Sequence, residues 1–296
     1  MTGDNTRRLP PALVEHARAF VSEGRTPVTP KGAATVILLR DGGYDDHAAD
    51  RPPSAPGADA AVEVYLLRRH LGMAFAGGMF AFPGGTVDPR DSDRAVAWAG
   101  PSVAEWAARL SCDEPTARAL VCAAVRETFE ESGVLLAGAG VGPVVGDTTG
   151  DDWEQDRAAL VDRSLSFVDF LDRRGLVLRS DLLAVWAHWI TPEFEPRRYD
   201  TRFFVAGIPT GQRTRDVSGE ADHVAWMRPA DALAGVDSGE MAMLPPTYVA
   251  VRQISGFESV AAVLEAAAGR VIRAVTPGVE FVGDEGLLTL PPWAVG

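Results

Sequence analysis

Lysine is almost missing from this chain. Lys31 is the single lysine among 28 basic residues, which leaves 27 arginines, and 41 acidic residues bring the net charge to −13. A deficit of positive charge argues against a general nucleic-acid-binding role, because such proteins carry a basic footprint. It does not exclude a small anionic ligand, since a few local arginines or a bound metal can reverse the field in one cleft. The lysine-to-arginine skew itself reads as coding bias. Cysteine is scarce too: Cys112 and Cys122 cannot build a zinc site alone. If the stretch between them is helical they lie about 15 Å apart, too far for a disulfide, which suits a reducing compartment. No apolar run approaches the roughly 18 residues of a membrane span. The opening "MTGDNTRRLPPALVEHARAF" lacks the apolar core of a signal peptide. A cytoplasmic location and no membrane partner are expected.

What is present suits a globular protein. Hydrophobic residues make up 46% and charged residues 23% of 296 residues, enough chain for one large domain or two small ones. Residues 11–23 have the spacing of a short amphipathic helix. "AATVILLR" (33–40) and "VEVYLLRR" (62–69) read as buried strands. The acidic, Gly/Pro-rich stretch between them reads as an exposed loop with a solvent-facing His47. A polar, irregular segment is expected over 86–113, then a strong helix "EPTARALVCAAVRETFEES" with Pro115 in its first turn and Gly133 to end it. Residues 151–175 look helical. Strands are predicted at 182–190, 202–208 and 222–229, helices at "ADALAG", "PPTYVAVRQI" and "FESVAAVLEAAAG", and a hairpin in the tail. Intermixed strands and helices favour one mixed α/β domain with insertions.

Three acids draw attention in the strong helix. Glu127, Glu130 and Glu131 fall within an arc of roughly 100°. Val121, Cys122, Val125 and Phe129 form an apolar stripe opposite, with burial expected to begin after Arg118. Ala123 and Ala124 would leave room beside the carboxylates. The bland reading is a solvated acidic face. Against it, negative charge is disfavoured near a helix carboxyl end, and a hard divalent cation would compensate it.

The residues resemble a known motif. "GGTVDPRD" followed by "REtfEEsG" is similar to the Nudix box, a glycine pair, a spaced acid, then Arg-Glu-x-x-Glu-Glu-x-Gly. Arg126, Glu127, Glu130, Glu131, Gly133 and Val134 match its second half, and Gly84, Gly85 and Asp91 its first. Asp91 stands where the family usually has Glu, and 34 residues separate it from Arg126, where the usual box has seven. A similar interruption occurs in the branch resembling the peroxisomal coenzyme A diphosphatases. "LLRRHLGMAFAGGMFAFPGG", "HWITPEFEPRRYDTRFFVA" and "MLPPT" look like that branch as well. The chain ends "WAVG", unlike a Ser-Lys-Leu address, so the cytoplasmic expectation stands.

The resemblance implies a Nudix-type α/β/α sandwich with a mixed β-sheet, insertions and a C-terminal helical extension. It divides the chain into a helical extension (1–30), a Nudix domain (31–255) with insertions at about 41–60 and 92–113, and an extension packed on the same domain (256–296). The insertion at 92–113 reads as a lid or as a segment that loops away. The implied reaction is metal-assisted hydrolysis of a nucleoside diphosphate joined to another group, with Mg²⁺ or Mn²⁺ as cofactor. Coenzyme A or an acyl derivative is the first substrate, with ADP-ribose, NADH and dinucleoside polyphosphates as alternatives. A ligand-sensing module without turnover is the reading from another class. By motif position Glu127, Glu130 and Glu131 are metal ligands, joined by the Gly84 carbonyl, and Arg126 orients a glutamate. Gly85 would lie against substrate. Glu220 matches the place of a later-loop base or ligand, or is a surface glutamate. Arg68, Arg69, Arg197 and Arg198 are candidates for phosphate recognition, and each also reads as an ordinary structural arginine. Trp186, Trp189 or Tyr199 could stack on adenine, the two tryptophans facing opposite sides of a strand. The only partner implied is a small-molecule nucleotide substrate, and pairing into a homodimer is open.

Overall fold

The computed structural model describes residues 8–43, 61–73, 76–93, 95–217, 219 and 221–294. The loop expected between the first two strands, with His47, and Glu220 lie outside the described residues. Helices α1 (Pro11–Glu23), α2 (Val103–Leu110), α3 (Glu114–Ser132), α4 (Asp151–Val161) and α5 (Phe167–Arg173) come first in the chain. Helices α6 (Pro229–Ser238), α7 (Pro245–Ile254) and α8 (Val260–Ala268) follow. The strands begin with β1 (Lys31–Asp41), β2 (Val62–Arg69), β3 (Phe80–Ala81), β4 (Gly84–Thr86), β5 (Trp98–Ala99), β6 (Ala137–Gly138) and β7 (Val177–Arg179). They continue with β8 (Ala184–Ile190), β9 (Tyr199–Gly207), β10 (Ala221–Met227), β11 (Ala274–Val275), β12 (Gly278–Val282) and β13 (Glu285–Thr289).

The main sheet runs β10-β2-β1-β9-β8-β11, with β3 beside β2 and β4 beside β1. β1 pairs parallel to β9 and antiparallel to β2 and β4, so the sheet is mixed. Alternation along β1 divides the core. Ala34, Val36 and Leu38 enter a layer shared with α3 and α5, whereas Ile37 and Leu39 enter a second layer under α6, α7 and α8. A strand buried on both faces needs a continuous apolar run, and "AATVILL" supplies one. The result is an α/β/α sandwich. Outside it, α1 packs on the β12–β13 hairpin through Leu9, Val14, Ala17 and Leu288, with Leu9 N–H donating to the Gly286 carbonyl at 2.9 Å. No described helix is long and apolar enough to cross a membrane.

Three expectations change. Residues 86–113 are not irregular: a 3-10 turn (Pro89–Ser92), β5 and α2 lie there. Ser102 and Glu105 cap α2 reciprocally, and Trp106 is fully buried against Phe204, with ring centroids 5.9 Å apart. Emptying such a site costs about 3–5 kcal/mol, so the insertion is core rather than a lid or a loop that strays. Burial along α3 begins at Ala117, before Arg118, and Ala123 and Ala124 are themselves fully buried. Trp186 and Trp189 share the α6–α8 layer because the β8–β9 register shifts between Val185 and Ala187. A bulge adds one residue of phase and turns the second tryptophan to the first one's face.

Candidate active site

Helix α3 carries the acids. Asp113 caps its start, its side chain accepting from Thr116 N–H at 2.8 Å, and Pro115 occupies its first turn. Gly133 ends it at φ 74°, a conformation that only glycine adopts cheaply. There is a second reason for glycine at 133: a Cβ would come within 2.7 Å of Arg215 Nε. The exposed helix carbonyls find donors nearby. Arg157 Nη1 donates to the Glu130 carbonyl at 2.6 Å, and Arg215 N–H donates to the Ser132 carbonyl at 2.8 Å. Both arginines also pair with Glu154.

The two halves of the box meet at Arg126, which is 9% exposed. Its Nε and Nη2 donate to the two carboxylate oxygens of Asp91, at 3.0 and 2.9 Å. Nη2 also reaches the Thr86 carbonyl at 3.1 Å. Nη1 donates to Glu127 at 2.8 Å and Glu130 at 3.1 Å. Asp91 is held in turn by the 3-10 turn, where it accepts from Asp88 N–H at 2.8 Å. Glu131 takes the other route across the site, accepting from Gly84 N–H at 2.8 Å. β4 brings Gly84 and Gly85 within this range by pairing opposite Thr35 and Ala34. Gly85 has no space for a side chain, because a Cβ would lie 2.6 Å from the Glu127 carboxylate.

These acids are not a solvated face. The Glu127 and Glu130 side chains are 14% and 12% exposed, and Glu131 is buried. Burial drives Glu127 up to about 7 against the pull of Arg126, with Glu130 adding repulsion. Glu130 is raised for the same first reason. Burial alone would lower Arg126, but the hydrogen bonds to Asp91 and the surrounding carboxylates hold it well above its ordinary value. Three carboxylates thus surround one guanidinium, with Glu131 beside them on the same helix. Like charges in a low-dielectric site are costly unless paired.

The cluster floors a cleft of about 820 Å³. Arg69, Trp189, Tyr199 and Thr247 line it, as do Arg90, Arg163, Leu165 and Phe167. A second cavity of about 880 Å³, between Arg109 and Arg270, shares none of the acids. Of the arginines expected at a phosphate, only Arg69 lines the acid-floored cleft. Arg68 pairs with Asp222 at 2.6 Å, and Arg197 is exposed elsewhere. Arg198 is buried and donates to the Thr191 and Val28 carbonyls, so it ties the chain before β9 to the chain before β1. Arg90, Arg157 and Arg163 also line the cleft, and sequence reasoning missed them. Only Arg157 left a signal, as a Glu154–Arg157 pair at i,i+3 spacing.

The family profile described as the NUDT19 Nudix domain matches residues 101–254, just over half the chain. The chain belongs to this Nudix hydrolase family. Its first half-box, with Gly84, Gly85 and Asp91, lies upstream of the matched span. An acyl-coenzyme A diphosphatase NUDT19 from Homo sapiens is 25% identical over 276 residues, covering 81% of this chain and 72% of the relative. The protein of the same name from Xenopus laevis is 24% identical, covering 77% and 70%. A crystal structure of a NUDIX hydrolase from Alicyclobacillus acidocaldarius superposes with a TM-score of 0.63 at 27% identity, over 80% of this chain and 96% of that one. The sandwich seen here is therefore the Nudix fold, and the protein is a hydrolase.

Proposed function

We propose that this Nudix hydrolase is a divalent-metal-dependent diphosphatase acting on coenzyme A or acyl-coenzyme A. The products would be 3′,5′-phosphoadenosine and (acyl) phosphopantetheine. The observation that carries the reading is the acid cluster lining the cleft, where Asp91, Glu127 and Glu130 share Arg126 and Glu131 accepts from Gly84 N–H. The named activity of the human and Xenopus relatives supports the choice of substrate.

The donor set fits a hard cation. Every donor is oxygen, and the surplus of negative charge is the property that Mg²⁺ or Mn²⁺ offsets. Among the described residues no three acid, histidine or cysteine side chains form a ready-made metal cluster. Arg126 holds Glu127 and Glu130 side by side instead, and those carboxylates would turn from it to a cation. Glu127, Glu130, Glu131 and the Gly84 carbonyl are the groups that would hold the ion. When bound, the ion supplies charge neutralisation at the phosphate oxygens and a more acidic water.

The chain's own residues do the rest. Arg126 spends its donors on Asp91, Thr86, Glu127 and Glu130, so it positions carboxylates rather than binding substrate. Arg69 offers a guanidinium to phosphate, and Tyr199 and Trp189 offer aromatic surface for adenine. By its sequence position alone, Glu220 would supply a further base or metal ligand. A panel of coenzyme A, acyl-coenzyme A, NADH, ADP-ribose and diadenosine polyphosphates, with Mg²⁺ or Mn²⁺ and products identified by mass spectrometry, tests the proposal. Coenzyme A esters should turn over fastest. Faster release from ADP-ribose or NADH would overturn the substrate, and release from none of them would overturn the activity.

A further inference from the structure

One guanidinium in the cleft stands apart from the others. Arg163 follows Asp162, the C-cap of α4, and has φ 62°, a left-handed conformation at a position where helices usually place glycine. For a side chain with a Cβ that conformation is unfavourable. The backbone is held there by two bonds: Arg163 N–H donates to the Leu160 carbonyl at 3.0 Å, and Arg90 Nη1 donates to the Arg163 carbonyl at 3.2 Å. The side chain remains 71% exposed, and its nearest carboxylate, on Asp88, is 4.0 Å away.

That carboxylate is already taken. Arg90 grips Asp88 with two donors, Nε at 3.0 Å and Nη2 at 3.1 Å, and Asp88 also caps the 3-10 turn. Two guanidiniums therefore approach one carboxylate at this part of the cleft lining, beside the acid cluster. The diphosphate belongs over the metal-holding carboxylates. The guanidinium pair suits a different group of the same ligand.

We propose that Arg163, supported by Arg90, is a specificity-determining residue that binds a phosphate monoester carried by the substrate in addition to its diphosphate. The proposal rests on the reading of the substrate as a coenzyme A. Guanidinium groups grip phosphate through paired, charge-assisted hydrogen bonds, and among the described residues the Arg163 side chain has only the 4.0 Å approach to Asp88. Its side chain lines the cleft from a left-handed backbone whose cost glycine would avoid.

The test uses equilibrium binding by the full-length protein, with adenosine 3′,5′-bisphosphate and adenosine 5′-monophosphate as probes. Wild type should prefer the bisphosphate by about 10-fold, the scale of one charge-assisted contact. Arg163→Gly and Arg163→Gln should each lose most of that preference. Arg163→Gly should also raise the melting temperature, because it relieves the left-handed strain. Loss of binding with gain of stability is a pattern that a merely structural arginine would not produce. A preference that survives in both variants, an equal weakening of both probes, or no preference in wild type would each overturn the assignment. Turnover of coenzyme A and its dephospho form separates this from the parent reading. Bisphosphate preference without coenzyme A hydrolysis sinks the proposed substrate and leaves the Arg163 site standing. Hydrolysis without preference does the reverse.

Discussion

Replacing Asp91 with asparagine probes the contact that joins the two halves of the box. Asp91 is 2% exposed and accepts from three N–H groups, two on Arg126 and one on Asp88. Asparagine keeps one acceptor and turns an amide N–H₂ toward donors that need an acceptor. Breaking a buried ion pair by removing one partner costs about 3–5 kcal/mol. Some of that is returned, because Asp91 also repels Glu127 and Glu130. The bonds at 2.9 and 3.0 Å outweigh that longer-range repulsion, and a net loss of about 3 kcal/mol is expected. At about 2 °C per kcal/mol for a chain of this size, thermal unfolding followed by circular dichroism should show Tm falling by about 6 °C. Activity should fall at least about 10-fold, since Arg126 then no longer holds Glu127 and Glu130 in place. Asp91→Glu keeps the charge but must fit another methylene at a closed position, so it should cost stability with a smaller effect on turnover. A Tm within about 1 °C of wild type for Asp91→Asn would show that Arg126 is anchored by something else.

Glu130→Gln and Glu131→Gln should each lower kcat by at least about 100-fold with circular dichroism unchanged, because each removes a charged candidate ligand; near-normal turnover in both would move the metal site elsewhere. Gly85→Ala should cost at least about 10-fold in kcat, because the new Cβ would lie 2.6 Å from the Glu127 carboxylate and displace it; wild-type kcat would show that Glu127 can sit elsewhere. The pH dependence follows from Glu127, whose value rises in the fold from 4.5 to about 7. Folding favours its protonated form, so its contribution is fully present below about 4.5 and is lost as pH rises through about 7, up to about 3 kcal/mol in all. In EDTA, Tm of wild type should fall relative to Glu127→Gln across this window, and Mg²⁺ should flatten the difference. A wild type that gains on the variant as pH rises without metal would reverse the assigned sign.

Local chemistry made much of the fold legible. α3 and α7 occupy the spans that their prolines, glycine cap and apolar spacing mark out, and α1 covers the predicted 11–23. β1 could be read because an apolar run without polar alternation suits a strand enclosed on both faces. The segment at 86–113 was misread because its pattern is mostly polar and its one decisive side chain, Trp106, is buried by long-range contact with β9. Trp186 and Trp189 were misplaced for a similar reason. A bulge changes phase by one residue and leaves no mark in composition. Among the arginines, Arg198 and Arg163 look alike in sequence. One is buried against two backbone carbonyls, and the other lines the cleft from its own left-handed backbone.

The long interruption of the box has a physical resolution that chain proximity could not supply. In an uninterrupted box the glycine pair and the acidic helix are held near one another by a short connection. Here the connection is replaced by tertiary structure. β4 is fixed by pairing with β1, and α3 is fixed against the same sheet by its buried face. Three contacts then close the site: Arg126 to Asp91, Arg126 to the Thr86 carbonyl, and Glu131 to Gly84 N–H. The inserted α2 adds to this arrangement. Its Trp106 and Leu110 join the core layer that backs α3. Loop closure grows costly only slowly with length, so the extra residues penalise the site little once they bury such side chains. It follows that shortening the insertion should damage the protein through its core before it alters the geometry of the acids.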